Sequence, residues 1–519
     1  MVSRRSAGIL LCWIAVLFGI VNSQTTYPLK IYTYFNAMDN RYGGGKSGAD
    51  VEKYFFSKQI MKRVENYYST AMSVKSAPGN LQHSEFELKD KQKVPVGSFD
   101  GHLWVLFDCY NDENDTAFAA ASFQDQAPDG RPISGFFELN LYAVSPSPRN
   151  ALAHYGVFVH EFYHILVLNP DLFKSYRNSA GNEIGESNVI STVSGRTVFK
   201  LPGATLNFAK SFLNDNSLSY IVLENGGGAG SIGSHLEYDY WPSDFMSPID
   251  TVPALLSPIS MYLAKDAGWY DVNDNYLDPL IYGMNAGANF QDLNICPGNR
   301  NPVPVGFCST AQKGSQMCSP DGMYKGKCGA DETYNNNGGC PFIMGTIYCT
   351  VPSNDLKEFV NSNLETIGSG SRCASVKAAD GSITPACTTT TCSGGTLTYK
   401  FSNGGTCSCS AGDAGTDKTC GSLKVKCPDT TSLSLTCDSL DTSKHGCPND
   451  CSGKGFCLGL TAGRKICWCN YGWKGSDCNT ENPDEKPLTS AGTSVVGDSN
   501  IASVRIVLCL LTLALTIFL

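Results

Sequence analysis

The residues best placed to do chemistry are in the run His160-Glu161-Phe162-Tyr163-His164. On a helix, two imidazoles four residues apart share a face with Cβ atoms about 5 to 6 Å apart, which suits one metal ion. Glu161 follows its histidine by about 100° around the helix, so it is turned away from ligation and free to hold a water. Zinc lowers the pKa of a bound water from about 15.7 toward about 7, and a nearby carboxylate can take the proton and pass it to a leaving amine. The competing explanation is a buried helix carrying two histidines by coincidence. It leaves a carboxylate unpaired among apolar side chains, which costs several kcal/mol.

A catalytic zinc commonly takes three protein ligands and keeps one position open, so a third ligand has to come from outside the helix. His83, His102, His154 and His445 stand in ordinary contexts, and His154 lies six residues before His160, facing elsewhere. His235 is the informative candidate, because it follows a Gly-rich stretch from Glu224 to Gly233 and shortly precedes Met246. No fourth ligand that would close a purely structural site is evident in the sequence.

The elements that must position these groups can be read in outline. Ala151 to Leu168 is apolar on nearly every face, which predicts a helix buried in a domain interior and stopped by Asn169-Pro170. Leu29 to Phe35 alternates like a strand, and Val51 to Met72 has helical spacing. Gly101 to Phe107 and Gly135 to Leu141 read as further strands, giving an α+β domain with a mixed sheet and covering helices. Asn114-Asp115-Thr116 is a glycosylation acceptor and belongs on a surface loop. The glycines of the 224–233 stretch permit positive φ and close backbone approach in the loop that delivers His235.

These pieces together resemble the leishmanolysin, or major surface protease, family. The resemblance is carried by the helix motif, by the run from Glu224 to Glu237, by Phe245-Met246-Ser247-Pro248, by Asp266-Ala267-Gly268-Trp269-Tyr270-Asp271-Val272-Asn273, and by Arg131-Pro132-Ile133-Ser134-Gly135. It spans roughly Leu29 to Cys349. It implies a two-lobed metzincin fold holding one zinc ion, with His235 as third ligand beside His160 and His164, Glu161 as base, and Met246 in a Met-turn beneath the metal. It also implies an extended protein or peptide substrate lying along a sheet edge. Metzincins usually have Gly three residues after the second histidine, where this chain has Val167, so a different helix exit is expected.

Cysteine use changes sharply along the chain. Cys109 stands alone between the N-terminal apolar stretch and Asp292, and a dense series runs from Cys296 to Cys478. The first part must hold together by its apolar core, and the second by bridges made in an oxidising compartment. Cys109 is left over as a buried thiol. The short Thr/Ser/Gly-rich pieces between cysteines predict a mostly β or irregular region without defined elements. Cys447, Cys451, Cys457, Cys467, Cys469 and Cys478, with Gly472 and Gly475, resemble an EGF-like module. That resemblance implies bridges Cys447–Cys457, Cys451–Cys467 and Cys469–Cys478.

Both ends carry targeting signals. Arg4 and Arg5 precede an apolar run from Ile9 to Ile20 and small residues at Val21-Asn22-Ser23, which reads as a secretory signal with the mature chain starting near Gln24. Few residues then remain before the first strand, too few for an inhibitory pro-segment. Ser490-Ala491-Gly492, the spacer Thr493 to Asn500 and the apolar tail Ile501 to Leu519 fit a glycolipid-anchor signal better than a spanning helix, since no basic flank follows. The expected division is 1–23 signal, 24–168 and 169–290 the two catalytic lobes, 291–445 Cys-rich region, 446–479 EGF-like module, 480–500 polar stalk and 501–519 tail.

The formal net charge of −9 comes without any dense basic patch, which sets aside a nucleic-acid partner. The function expected from these residues is zinc-dependent endopeptidase activity at the outer face of the plasma membrane. The alternative is an adhesive or shielding coat protein that keeps the fold without activity.

Overall fold

The structure is a computed structural model that describes residues 25–482, apart from 147, 227–230, 249–253, 289, 293–294, 330–339, 351–363, 369, 442–446, 458–466 and 470–472. The expected signal, the anchor residues Ser490, Ala491 and Gly492, the tail and His445 lie outside the described residues.

The first half is organised around a four-stranded mixed sheet. Strands β1 (Ile31–Tyr34), β2 (Leu103–Tyr110), β3 (Ala119–Gln126) and β4 (Pro132–Asn140) lie in the order β1-β2-β4-β3. β1, β2 and β4 run parallel, and β3 pairs antiparallel with β4 at the edge. β2 reads Leu-Trp-Val-Leu-Phe-Asp-Cys-Tyr and is buried along nearly its whole length, as a central strand covered on both faces should be.

Two long helices cover the sheet, α1 (Ala49–Ala71) and α2 (Pro148–Leu166). Every residue from Val157 to Leu168 is buried, so α2 is an interior helix, as its composition predicted. Phe158 of α2 packs on Phe137 of β4 with ring centroids 4.8 Å apart, and Tyr68 of α1 stacks on Phe162 at 5.4 Å. The Tyr68 hydroxyl also donates to the Val159 carbonyl at 2.7 Å. Gly135 allows α2 to approach this closely: a Cβ there would lie 2.6 Å from both Ile165 Cγ2 and the Ser122 carbonyl oxygen.

α2 ends one turn before the proline. Val167 and Leu168 both donate to the Tyr163 carbonyl, and Asn169 caps the short 3-10 turn Pro170–Ser175 by accepting from the Asp171 N–H at 3.1 Å. Val167 is not among the residues with positive φ, which explains why no glycine is required at this exit.

Beyond α2 come a small antiparallel sheet, β5 (Ile190–Val193), β6 (Arg196–Phe199) and β7 (Ile221–Val222), and helices α3 (Ala204–Leu213) and α4 (Pro258–Asp266). Asp266, at the end of α4, accepts from the Ala204 and Thr205 N–H groups and so caps α3 in place of a local residue. Gly268 follows with φ +85° and sits against the Arg177 carbonyl, 2.2 Å from where a Cβ would be, so only glycine fits this exit.

The Cys-rich region is more regular than its composition suggested. β8 (Gln316–Cys318), β9 (Tyr324–Gly329) and β10 (Phe342–Tyr348) form one sheet. A six-stranded antiparallel sheet follows, whose strands β11 (Ser371–Lys377), β12 (Ile383–Ser393), β13 (Thr396–Lys400), β14 (Thr406–Cys409), β15 (Asp417–Cys420) and β16 (Leu423–Lys426) lie in the order β14-β13-β12-β11-β16-β15. Bridges Cys296–Cys340, Cys308–Cys328, Cys318–Cys373, Cys349–Cys387, Cys392–Cys437, Cys407–Cys420 and Cys409–Cys427 staple the Cys-rich region. Cys451–Cys467 and Cys469–Cys478 close the last small unit, where Cys447 is also bridged, and Cys109 is a free, buried thiol. One apolar cluster runs continuously from Leu29 to Phe342, and a second surrounds the six-stranded sheet between Ala374 and Leu433. Among the described residues no helix is long and apolar enough to cross a membrane.

Candidate metal centre

His160 and His164 project from one face of α2, and the segment after β7 brings His235 against them. His160 Nε2 lies 3.1 Å from His164 Nε2 and 3.2 Å from His235 Nε2, and one ring nitrogen from each of the three falls within 4.8 Å of the others. All three rings are buried. His235 is delivered by a closed loop: Glu224 N–H donates to the His235 carbonyl at 2.8 Å, and Gly233 N–H returns to the Glu224 carbonyl at 2.9 Å. Leu223 and Leu236 form a single antiparallel bridge at its base, and Gly233 turns the chain with φ +78°.

The far nitrogen of each ring meets an acceptor. His160 Nδ1 donates to the Phe245 carbonyl at 2.6 Å and His164 Nδ1 to the Leu168 carbonyl at 2.7 Å. His235 Nδ1 faces the Ser234 hydroxyl at 3.1 Å and the Ser231 carbonyl at 3.4 Å. Neutral imidazoles held this way carry their protons on Nδ1 and turn three Nε2 lone pairs toward one point. Burial resists relief by protonation: it lowers His160 to about 3, with His164 adding to the effect, and His164 to about 4. His235 is lowered too, by burial first and then by its two imidazole neighbours.

Lone pairs this close repel unless a cation sits among them. Metal–nitrogen bonds of about 2.0 to 2.1 Å in a tetrahedron set nitrogens roughly 3.3 Å apart, close to the spacing found, so the set could hold a zinc-like ion. Glu161, on the same helix, is 1% exposed, and neither carboxylate oxygen has a hydrogen-bond partner. Burial pushes its carboxyl up to about 8, with only the Ala121 backbone amide on edge strand β3 pulling the other way.

Met246 is buried in a turn tied to two of the three histidine segments. Its carbonyl accepts from Leu236 N–H at 2.9 Å, next to His235, while the preceding carbonyl, that of Phe245, holds His160. The remaining described histidines do other work. His83 stacks on Trp104 at 3.9 Å, His102 accepts from Lys30 N–H, and His154 accepts from Ser145 N–H. Asn114 is exposed on its loop.

Sequence reasoning missed the groups that orient the three imidazoles, because most are backbone carbonyls, which carry no residue-type signal. It also missed Asp244, Ser257 and Ser260 around the Met246 turn. Their only visible sign is a Ser-Pro pair of the kind that opens a helix.

Comparison with known proteins places the chain in a family. The leishmanolysin family profile matches residues 68–432, and a teneurin-like EGF domain profile matches residues 447–481. Leishmanolysin of Leishmania chagasi is 27% identical over 205 residues, covering 39% of this chain and 32% of that protein. The ciliated left-right organizer metallopeptidase of Xenopus laevis is 25% identical over 223 residues, covering 42% and 30% respectively. The leishmanolysin-like peptidase of Drosophila melanogaster is 25% identical over 207 residues, covering 34% and 30%. The aligned region thus spans about a third of each relative's length. Since the family profile extends over well more than half of its residues, the chain belongs to the leishmanolysin family.

Proposed function

We propose that this protein is a zinc-dependent endopeptidase in which His160, His164 and His235 hold one zinc ion and Glu161 is the general base. The observation that carries this reading is the meeting of three buried Nε2 atoms whose Nδ1 protons are already committed to acceptors. When bound, a zinc ion would polarise the scissile carbonyl, make water acidic toward a pKa of about 7, and draw the Glu161 carboxyl down from about 8.

The chain's own contribution is positional and protonic. Glu161 takes a proton from the attacking water as its oxygen bonds to the peptide carbon, then delivers that proton to the amine nitrogen as the C–N bond breaks. A buried carboxylate whose oxygens make no close hydrogen bond suits this shuttle. The Phe245 and Leu168 carbonyls keep His160 and His164 in the metal-binding tautomer. Met246 forms the Met-turn, and the two lobes, 24–168 and 169–290, form a metzincin-type catalytic unit followed by the Cys-rich region and EGF-like module. Substrates in this reading are proteins or peptides.

The bridges of the second half favour a protein that folds in the secretory pathway and works outside the cell. A glycolipid anchor near Ser490, Ala491 or Gly492 and a glycan on Asn114 complete the proposal. Nothing specific favours the non-catalytic coat reading over it. Digestion of casein by the purified protein tests the central claim against a Glu161→Ala variant and a chelated sample. Equal inertness of wild type and Glu161→Ala with zinc bound would sink it. For the anchor, a glycolipid-specific phospholipase should release the protein from cells, and continued retention would overturn that part.

A further inference from the structure

We propose that Asp244 is a positioning residue for the metal centre, fixing His160 through the turn that contains Met246. This rests on the zinc reading given above. Asp244 is 1% exposed. Its carboxylate accepts three hydrogen bonds: from Met246 N–H at 2.7 Å, from the Ser257 hydroxyl at 2.6 Å and from the Ser260 hydroxyl at 2.5 Å. One end of this cluster is the turn; the other is the first turn of α4, where Ser257 is the N-cap.

The cluster belongs to a closed circuit with α2. His160 Nδ1 donates to the Phe245 carbonyl, one residue from Asp244. Tyr163, the neighbour of His164, donates its hydroxyl to the Ser260 carbonyl at 2.8 Å. The metal helix is therefore attached twice, once to the turn and once to α4, and Asp244 joins the two attachment points. Backbone bonds from Phe245 N–H to Leu255 and from Leu236 N–H to Met246 extend the same circuit toward His235. A carboxylate is suited to this place because three donors converge on it, and Met246 N–H cannot reverse its role. Alanine would strand that buried N–H and let the turn drift from α4. Asparagine would keep its carbonyl on Met246 N–H, and the serine hydroxyls can rotate to accept from its amide.

The prediction is read as zinc affinity by competition with a chromophoric chelator, on full-length protein whose folding is checked by circular dichroism. Asp244→Ala should lose affinity by about 10- to 100-fold, the range seen when a group orienting a metal ligand is removed. Asp244→Asn should stay within about threefold of wild type by the same reasoning, and cobalt-loaded protein should show a perturbed ligand-field spectrum only in the alanine variant. A folded Asp244→Ala that binds zinc as tightly as wild type, with an unchanged cobalt spectrum, overturns the proposal. If Asp244→Ala does not fold, the paired variant Ser257→Ala/Ser260→Ala leaves the carboxylate in place and removes two of its donors. Weakened zinc binding there supports the proposal, and unchanged binding overturns it. Wild type that binds no zinc would instead remove the metal-centre reading on which this one stands.

Discussion

The carboxylate of Asp239 accepts a hydrogen bond from the backbone N–H of Cys340 at 2.9 Å. Four residues after His235, the first half of the chain is thus fastened to the Cys-rich half, and Cys340 is itself bridged to Cys296. Tyr238 adds an edge-to-face contact with Phe342 at 5.2 Å. The stapled region therefore supports the segment that delivers His235.

That attachment has a measurable effect. A Cys296→Ser/Cys340→Ser variant should lose about 2 to 5 kcal/mol of stability, as for other native bridges. Zinc retention against a chelator should fall together with the melting temperature. Unchanged retention would show that the Cys-rich region does not brace the metal segment.

Replacement of Glu161 by Gln should lower kcat by about 10²- to 10⁴-fold, the usual contribution of a general base. Zinc content should remain at wild-type level. The zinc-free variant should melt no lower than zinc-free wild type, because an unpartnered buried carboxylate is being removed. Calorimetry of the two metal-free proteins checks this.

Removal of zinc should lower the melting temperature, and its return should restore it, because three lone pairs then face one another with no cation between them. A thermal shift titration with zinc, calcium and magnesium distinguishes a nitrogen-ligand site from an oxygen-ligand one. Calcium and magnesium are expected to have little effect.

Gly135→Ala puts a Cβ against Ile165 and the Ser122 carbonyl, each 2.6 Å away. Overpacking of this kind costs about 1 to 3 kcal/mol, and here it pushes the metal helix off its sheet. Denaturant unfolding should report the loss of stability, and zinc affinity should fall with it.

Asp108 on β2 supplies a pH dependence away from the metal. Burial raises its carboxyl to about 6, with the Lys89 N–H and then Arg41 opposing. A carboxyl with a raised folded pKa contributes stability below its unfolded pKa and loses that contribution as pH rises through the folded value. Stability should therefore decline from about pH 4 to about pH 6 by on the order of 2 to 3 kcal/mol from this residue. Asp108→Asn should flatten the melting temperature across that window.

The sequence made the metal helix legible because both its histidines and its burial are local properties. Leu103–Tyr110 and Pro132–Asn140 showed as apolar runs for the same reason. The edge strand Ala119–Gln126 did not, since Ala-Ala-Ala-Ser-Phe-Gln-Asp-Gln has low strand propensity and owes its conformation to pairing with Pro132–Asn140. The six-stranded sheet stayed hidden because its Thr/Ser-rich strands are held by bridges as much as by an apolar pattern. His235 needed family context, because a loop says nothing about where it ends in space. The EGF-like pairing was suggested by resemblance, and the structure joins Cys451 to Cys467 and Cys469 to Cys478.

The apolar cluster that reaches from Leu29 to Phe342 takes in both the helix that carries His160 and His164 and the segment that carries His235. Its two sides share one reservoir of buried surface, so they should melt as a single cooperative unit, with no state in which the histidine pair is formed and the third ligand is not. In a scanning calorimeter the first half of the chain should give one endotherm whose calorimetric and van't Hoff enthalpies agree. The stapled sheet, with its separate core, is free to give another.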